Sequence, residues 1–582
     1  MTTASLVAPA ASPAGGPVNP PPTSRRQLDD MLARLREGAA RFVRWSIPER
    51  IRLIRELQAG MLAHAEALVQ ASCQAKGIPP ASPLAGSEWA TGPWSVVRQL
   101  RLLAESLEHL ASRGTTPLGK VSRTAAGGLI AQVFPTNRID GVLFSGITTE
   151  VRFQPGWTER DLEGRGTFYH GGTHDGRTVL ILGAGNLAAI PAMDVLTKLF
   201  NEGKACLLKM NPVNAYVGPI LEHAFAAAIR HGVLAVAYGG PAEGEYLINH
   251  RDIQEIHLTG SDQTYERICW GPPGPERELR RTRNQPLIGK PITAELGNVS
   301  PVIVVPGPYR RGELAFQAAS IAGAFTSNAA FNCCTPRVIV TARGWSDRGP
   351  FLDALMAALR NAEPRRAYYP GAGDRWNALA RGRTRLQPPG ELRGDESPWT
   401  LLPALDATDP EEPAFRREAF CAILSETEVA SDDPVEFLER SVEFVNNRLW
   451  GTLSADLVVH PRLFKDPRTA EAVNRALDRL RYGVVTVNSW TGQAFVQGSP
   501  PWGAYPGSVP QDIQSGTGWV HNTSMLEGIE KVVLRHPLTL NPKPATFPGH
   551  RTADRLMRRM TGLEAQPRWR HVPGVIAAAV RG

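Results

Sequence analysis

The sequence of 582 residues has no apolar run that approaches the roughly 20 residues needed to cross a bilayer. Its six cysteines are scattered, with neither a CxxC pair nor a regular spacing, which argues against a disulfide framework and indicates reduced thiols. The first residues lack the charged start, long apolar stretch and cleavage site of a secretory signal. These absences predict a soluble, cytoplasmic protein.

Motifs for binding nucleic acid or metal are also missing. Two histidines, His223 and His231, lie eight residues apart in a helical pattern and suit ordinary surface or core positions better than a metal site. The formal net charge is +8, and the stretches RTADRLMRRM and RWRH near the end are locally basic. We expect a solvated basic tail there, with peripheral contact to acidic lipid or nucleic acid as the weaker alternative. The sequence predicts no metal and no nucleic-acid partner, and it gives no firm evidence for a membrane.

What the sequence does contain is a globular composition, with 42% hydrophobic and 21% charged residues. Its length predicts two or three folded units. Residues 1–24 are mostly Ala, Pro, Gly and Ser, and we expect them to be disordered. From Arg25 to about Ser112, apolar residues recur at helical spacing, which predicts several amphipathic helices.

Strand and helix patterns then alternate. The strand-like stretches RTVLIL, KACLLK, VLAVAYG and IQEIHLTGS are separated by helical patterns, and serial βαβ order requires a parallel sheet. A second α/β set begins after about residue 290 with SPVIVV. Two α/β units meeting there would place a ligand cleft between them.

The turn in VLILGAGNLAAI poses a separate question, because Gly-x-Gly-x-x-Ala between a strand and a helix is one form of a dinucleotide-binding loop. Such a loop should be followed about 20 residues later by an acid that binds the ribose. Here the second strand ends in Lys209, and Pro212 follows it, so the acid is missing. The glycines alone indicate only a tight turn.

Two longer motifs resemble the aldehyde dehydrogenase superfamily. KPITAELGNVSPVIVV at 290–305 resembles its E-L-G-G-x-S-P motif, and FTSNAAFNCCTPRVIV at 325–340 its F-x-N-x-G-Q-x-C motif. The segments IHLTGSDQTYERI, REAFCAIL and VNSWTGQAFVQGSPPWGAYPGSV look like three further family segments, in the family's order. The interval from Asn186 to Lys209, 23 residues, also suits the family. The resemblance extends from about residue 30 to about 535.

The resemblance implies an α/β fold with a Rossmann-type cofactor domain, an α/β catalytic domain and a β oligomerisation arm. The expected division is a disordered tail at 1–24, an NAD(P)-binding domain at 25–136 and 178–290, an insertion or arm at 137–177, a catalytic cysteine domain at 291–500, and a C-terminal return segment with a basic tail at 501–582.

The resemblance also implies a catalytic set. Cys333 would be the nucleophile, although Arg337 lies only four residues beyond it, one fewer than expected, so Cys334 stays open. Thiolate chemistry suits this role, since a thioester remains hydrolysable. Glu295, in the ELG context, would be the general base that activates water.

An oxyanion forms during the reaction and needs a side-chain amide donor. Asn186 has the right interval to Lys209, whereas Asn137 lies in VFPTN, which resembles the family's I-P-W-N sequence. We favour Asn186, because a helix, a strand and the lysine follow it in register.

For the cofactor, the resemblance implies that Lys209 binds the adenosine ribose and that Gly260 and Ser261 lie near the pyrophosphate. Glu418 and Phe420 would bind the nicotinamide ribose and pack on its ring. Because no acid follows Lys209 closely, the cofactor is NAD or NADP.

The expected function is NAD(P)-dependent oxidation of a small-molecule aldehyde to a carboxylic acid through a cysteine thiohemiacetal and a thioester, in a homodimer or homotetramer. One alternative is an acylating enzyme in which coenzyme A releases the thioester. Another is a non-catalytic binding protein, which Tyr265 and Phe331 favour and which the retention of Cys333, Glu295 and Lys209 opposes. The departures at Asn298 and Ala330 mark a divergent branch of the family.

Overall fold

The computed structural model describes residues 18–79, 81–172 and 174–582. Most of the tail predicted to be disordered lies outside the described residues, and residues 18–24 form neither helix nor strand. Among the described residues, no helix has the length and apolar character needed to span a membrane.

The first helices along the chain are amphipathic, as their periodicity predicts, and capping residues mark their ends. Ser24 starts the first one, with its backbone N–H donating to Gln27 Oε1 at 2.9 Å, and Gly114 ends the fourth in a left-handed conformation. The helices are α1 Arg25–Phe42, α2 Ile47–Ala75, α3 Ala85–Trp89, α4 Ser95–Arg113, α5 Arg138–Leu143, α6 Ala189–Leu196, α7 Gly218–Ala224, α8 Ala226–Arg230, α9 Pro241–Asn249, α10 Asp262–Trp270, α11 Pro275–Thr282, α12 Arg311–Thr326, α13 Arg348–Arg360, α14 Ala372–Ala380, α15 Pro413–Arg416, α16 Pro434–Arg448, α17 Pro467–Arg479, α18 Gly492–Gln497, α19 Ala553–Ala565 and α20 Val572–Val580.

Most of the longer strands coincide with the apolar runs that alternate with these helices. The strands are β1 Val121–Arg123, β2 Leu129–Phe134, β3 Thr148–Phe153, β4 Thr178–Leu182, β5 Ala205–Lys209, β6 Leu234–Ala237, β7 Glu255–Thr259, β8 Ile292–Glu295, β9 Ser300–Val304, β10 Pro336–Ala342, β11 Arg365–Arg366, β12 Glu396–Ser397, β13 Thr400–Leu405, β14 Ile423–Val429, β15 Ser454–Val458, β16 Val484–Val487, β17 Pro501–Gly503, β18 Gly516–Thr517, β19 Trp519–His521 and β20 Ile529–Arg535.

The first of two large sheets has six strands in the order β18-β8-β7-β4-β5-β6. Its neighbours from β8 to β6 are parallel, and only β18 runs antiparallel, pairing with β8. The register places Leu182 opposite Lys209 and Thr259 opposite Glu295. The carboxyl ends of four strands therefore meet at one edge, where open α/β sheets bind ligands.

The second sheet has ten strands in the order β1-β2-β3-β20-β16-β15-β9-β10-β14-β13. From β20 to β13 the neighbours are parallel, and the hairpin strands β1 to β3 continue the sheet antiparallel through the β3–β20 pair. The predicted α/β fold with a parallel sheet is confirmed. Within the 137–177 segment, β3 joins this sheet, which also includes β1 and β2 from the preceding stretch.

The basic region near the C-terminus is folded. Helices α19 and α20 bury Leu556, Met560, Leu563 and Val575 in a cluster that includes Trp89 of α3. The expectation of a solvated tail is wrong there, because the arginines occupy only the outer faces of helices whose inner faces are apolar.

Candidate active site

The cysteine pair lies directly after a turn of unusual backbone geometry. Asn328, Ala329 and Ala330 have φ angles of 50°, 56° and 65°, so three consecutive residues that are not glycine adopt the left-handed region. Each such residue costs about 1 kcal/mol or more, and the surrounding contacts must hold the turn in place. Arg337 does so by donating from its guanidinium to the Ala330 carbonyl at 2.7 Å and to the Cys421 carbonyl at 2.8 Å.

The two cysteines differ in environment. Cys334 is buried in the core, while Cys333 is only half-buried and lies beside Glu295. The Trp490 indole donates to the Cys334 carbonyl at 2.7 Å and fixes the backbone after the pair. A hydrogen bond with the Cys334 thiol, burial and the charge of Glu295 raise the pKa of Cys333 well above its usual value. A neutral thiol of this kind needs a nearby base to become nucleophilic.

Glu295, the last residue of β8, is such a base. Burial raises the pKa of Glu295 to about 7; the neighbouring Cys333 and Trp502 side chains oppose the rise, and the charge of Asp194 adds to it. Asp194 is buried on α6 and accepts a hydrogen bond from Thr259 Oγ1 at 2.9 Å. The Oε1 atom of Glu295 has no hydrogen-bond partner among the described residues. A carboxylate near neutral pKa with a free oxygen is suited to taking up and returning a proton.

The two candidate asparagines lie in different surroundings. The side-chain amide of Asn186 donates to the Phe331 carbonyl at 2.9 Å, two residues before Cys333. Asn137 instead caps α5, its Oδ1 accepting from the Asp140 backbone N–H at 2.9 Å. Only Asn186 therefore contacts the cysteine segment directly.

A buried ion pair that the sequence did not reveal lies behind this segment. Lys76 Nζ donates to Glu88 Oε2 at 2.8 Å and to Asn328 Oδ1 at 2.9 Å, and both charged side chains are almost fully buried. The Asn328 amide in turn donates to the carbonyls of Asn186 and Phe331 at 3.1 and 3.0 Å. The N-terminal helices thus hold the left-handed turn. Lys76 and Asn328 are 252 residues apart, and no local pattern joins them.

Replacing Lys76 with methionine is expected to lower the free energy of unfolding by about 3–5 kcal/mol, because it leaves the Glu88 carboxylate buried without its partner. The shift of the urea unfolding midpoint measures this, with exposed Lys120→Met as the matched control. The double variant Lys76→Met/Glu88→Leu should recover much of the loss. A Lys76→Met midpoint equal to that of the control would contradict the prediction.

The residues assigned to the dinucleotide line the carboxyl edge of the six-stranded sheet. Lys209 ends β5, and burial lowers its pKa to about 8 while the charge of Glu243 opposes the change. Gly260 and Ser261 are exposed where β7 passes into α10, and Ser261 Oγ accepts from the Thr264 N–H at 3.2 Å as the helix cap. An exposed helix start with free N–H groups suits a phosphate.

Glu418 lies closer to the cysteine site. Burial raises the pKa of Glu418 to about 8, against the opposing effects of Arg337 and the Asn298 backbone N–H, and its Oε1 has no hydrogen-bond partner among the described residues. Its carboxylate covers Gly297, since a Cβ there would lie 2.0 Å from Glu418 Oε2. This explains why the residue after Leu296 is a glycine.

The aromatic residues of the site form one cluster. The ring of Phe420 lies 5.6 Å from that of Phe331 and 4.9 Å from that of Tyr369, and Phe331 lies 5.0 Å from Tyr368. Phe331, which stands where the family has Gln, therefore packs on Phe420. Tyr265, the other bulky departure, is 2% exposed and packs in a separate core cluster, so it does not cover the helix start at Ser261.

The structure is thus an α/β protein with two large sheets, in which a half-buried cysteine lies beside a buried glutamate. Residues 186–367 match the model of the aldehyde dehydrogenase family. This segment, which contains Asn186, Glu295 and Cys333, is therefore similar to the aldehyde dehydrogenase family, as the motifs predicted.

The curated relatives are similar over a short region. A 4-trimethylaminobutyraldehyde dehydrogenase from Rattus norvegicus is 31% identical over 103 residues, and the Bos taurus protein of the same name is 30% identical over 103 residues. Each match spans 18% of this chain and 18% of the relative's length.

Solved structures are similar over most of the chain. A γ-glutamyl-γ-aminobutyraldehyde dehydrogenase from Burkholderia cenocepacia J2315 aligns with a TM-score of 0.60 at 18% identity, covering 88% of this chain and 89% of that one. An NADP-dependent glyceraldehyde-3-phosphate dehydrogenase from Bacillus halodurans C-125, complexed with NADP, aligns with a TM-score of 0.59 at 16% identity, covering 88% and 92%. At such identities the likeness establishes the fold.

Proposed function

We propose that this protein oxidises an aldehyde to a carboxylic acid with NAD or NADP, using Cys333 as nucleophile. The observation that carries the proposal is the juxtaposition of the half-buried Cys333 thiol with Glu295, a buried carboxyl whose pKa is about 7. Near neutral pH this carboxyl can accept the thiol proton as the sulfur adds to the aldehyde carbon.

The reaction also needs hydrogen-bond donors for the oxyanion. The Cys333 backbone N–H and the Asn186 amide are the proposed pair, and Asn186 is supported by its contact with the Phe331 carbonyl. When bound, the nicotinamide cofactor supplies the hydride acceptor. Glu295 releases the thiol proton to solvent and then takes a proton from the water that attacks the thioester carbon. It returns this proton to the Cys333 sulfur as the carbon–sulfur bond breaks and the carboxylic acid leaves.

The cofactor site fits a dinucleotide. Lys209, Gly260 and Ser261 would hold its adenosine and phosphate half, and the free Glu418 Oε1 and the Phe420 ring its nicotinamide half. The chain provides a desolvated ammonium, an exposed helix start and an unpartnered buried carboxyl, which are the groups that such a ligand requires.

Substituting Gly297 with alanine is expected to weaken NAD(P) binding about tenfold with little loss of stability, because the new Cβ displaces the Glu418 carboxylate from its position. Titration calorimetry with the cofactor measures the dissociation constant. Gly312→Ala is the matched control, since a Cβ at Gly312 meets nothing within 4 Å. Unchanged cofactor affinity in Gly297→Ala would remove Glu418 from the proposed cofactor site.

The function is tested by measuring NADH and NADPH formation from short, long-chain and aromatic aldehydes, with and without coenzyme A. Turnover that does not depend on coenzyme A supports hydrolysis by Glu295, whereas strict dependence on coenzyme A supports the acylating alternative. Nucleotide binding without turnover on any aldehyde would overturn the proposal in favour of a non-catalytic protein.

The proposed setting is a cytoplasmic homodimer or homotetramer. Support for the compartment comes from the six cysteines, all of which are free thiols. Support for assembly comes from the hairpin β1–β2, which leaves β1 at an open edge of the ten-stranded sheet. Light scattering of the purified protein gives the oligomeric mass.

A further inference from the structure

Helix α20 is apolar on all sides, yet only one side of it is covered. Val572, Val575 and Ala578 face the core cluster shared with α19. The opposite positions, Pro573, Ile576, Ala577 and Val580, follow the spacing i, i+3, i+4, i+7 and are all exposed. A surface helix ordinarily carries polar residues on such a face, so this apolar stripe lacks its expected partner.

Several of the exposed apolar side chains on and near this stripe are large. Ile576 is 43% exposed and Val580 66%, and Trp569, just before the helix, is 54% exposed. Helix α5 packs against α20 and adds Val142, which is 50% exposed. We call Val142, Trp569, Ile576 and Val580 the apolar patch.

The charged side chains next to α20 in the sequence are all basic. Arg568, Arg570 and Arg581 flank it in sequence and are exposed, and residues 565–582 contain no Asp or Glu. Arg559 of α19 lies against α20, since its Nη1 is 2.4 Å from where a Cβ on Gly574 would be. In the described part of the chain, none of these four arginines forms a salt bridge with a carboxylate.

We propose that the apolar patch and its four arginines bind the surface of an anionic phospholipid bilayer, with α20 lying in the plane of the interface. Exposed Ile and Val side chains would enter the acyl boundary, Trp569 would sit at headgroup level, and the arginines would contact lipid phosphates. The nine-residue helix lies on the membrane and does not cross it.

A second copy of the chain fits this surface less well. A two-fold interface would bring the patch against itself and would place its arginines near their own equivalents, which like-charge repulsion disfavours. A nucleic acid would satisfy the arginines but would leave Ile576 and Val580 without a use. The combination of an aliphatic stripe, a tryptophan and unpaired arginines favours anionic lipid.

The test is co-sedimentation of the full-length protein with vesicles of phosphatidylcholine alone and of phosphatidylcholine with one quarter phosphatidylserine. We expect binding to the anionic vesicles only, weakening as salt is raised. An arginine at a lipid surface contributes about fivefold in affinity, so Arg568→Glu/Arg570→Glu should reduce binding about 25-fold or more. Ile576→Asp/Val580→Asp should reduce it at least about tenfold.

Two variants on other surfaces serve as matched controls. Leu287→Asp alters a leucine that is 53% exposed elsewhere, and Arg360→Glu reverses an exposed arginine at the end of α13. Both should bind anionic vesicles as the wild type does. Because Ile576 and Val580 are exposed, their variants should keep the wild-type thermal midpoint and cofactor affinity, which separates loss of binding from loss of folding.

Several results would overturn the proposal. Anionic-lipid recognition is excluded if the wild-type protein stays in the supernatant when anionic vesicles sediment at low salt. It is also excluded if the protein binds neutral vesicles equally well. Binding that survives both α20 variants places the contact elsewhere. A wild-type oligomer that Ile576→Asp/Val580→Asp dissociates, without vesicle binding, assigns the patch to a second copy. None of these readouts depends on aldehyde oxidation, so the proposed function stands or falls separately.

Discussion

Replacing Cys333 with alanine is expected to reduce aldehyde oxidation by about 10⁴-fold or more, since the covalent route then has no nucleophile. Cofactor affinity should be nearly unchanged, because the proposed role of Cys333 is to attack the aldehyde, and other residues are assigned to the dinucleotide. Steady-state NAD(P)H formation and cofactor titration, made on the same protein, measure the two effects.

Cys334→Ala is the matched variant, and we expect it to have a different effect. Cys334 is buried, and its thiol helps to raise the pKa of Cys333. Removing it should preserve turnover and move alkylation of Cys333 by iodoacetamide to lower pH. If instead Cys334→Ala abolishes turnover and Cys333→Ala retains it, the nucleophile is Cys334.

Glu295→Gln is expected to lower the steady-state rate by about 10²–10⁴-fold, the usual effect of removing a general base. In the wild type the rate should rise with pH through about pH 7, because burial raises the pKa of Glu295 to about 7 and only its ionised form can accept a proton. Below that pH the carboxyl is neutral and the rate falls. The variant should lose this rise. Initial rates from about pH 5.5 to 8.5 give both profiles.

Glu418→Gln provides the contrast for this profile. Burial raises the pKa of Glu418 to about 8, so near pH 7 its carboxyl is mostly neutral, and glutamine imitates that form. We therefore expect a cofactor affinity at pH 7 close to that of the wild type, with the rise near pH 7 retained. A Glu295→Gln enzyme that keeps the rise would show that another group, and not Glu295, sets it.

The six-stranded sheet was predictable because the sequence patterns of its strands are local. RTVLIL, KACLLK and IQEIHLTGS predict strands, and β4, β5 and β7 lie within them. Each run is apolar, short and bounded by turn residues, which is typical of a strand covered on both faces. The aldehyde dehydrogenase resemblance depended on equally local motifs around Glu295 and Cys333.

The rest of the fold and of the candidate site depends on contacts between segments that are distant in the sequence. Nothing near Lys76 indicates that it hydrogen-bonds to Asn328, and a run such as TTEVRF does not reveal that β3 pairs with β20. The helices α19 and α20 were missed for another reason. Their arginines suggested a solvated tail. Only the packing of their apolar side chains in one cluster with Trp89 shows that each helix has a buried face.

The order of strands in the ten-stranded sheet also bears on how the protein is made. Strand β3 ends at Phe153, and the strand that covers its second edge, β20, begins at Ile529. At a synthesis rate of about 5–20 residues per second, β20 is synthesised roughly 20–80 s after β3, and this edge of β3 is unpaired during that time. An unpaired edge of this kind invites mispairing with other chains, so efficient production should depend on a chaperone that shields the hairpin until synthesis is nearly complete.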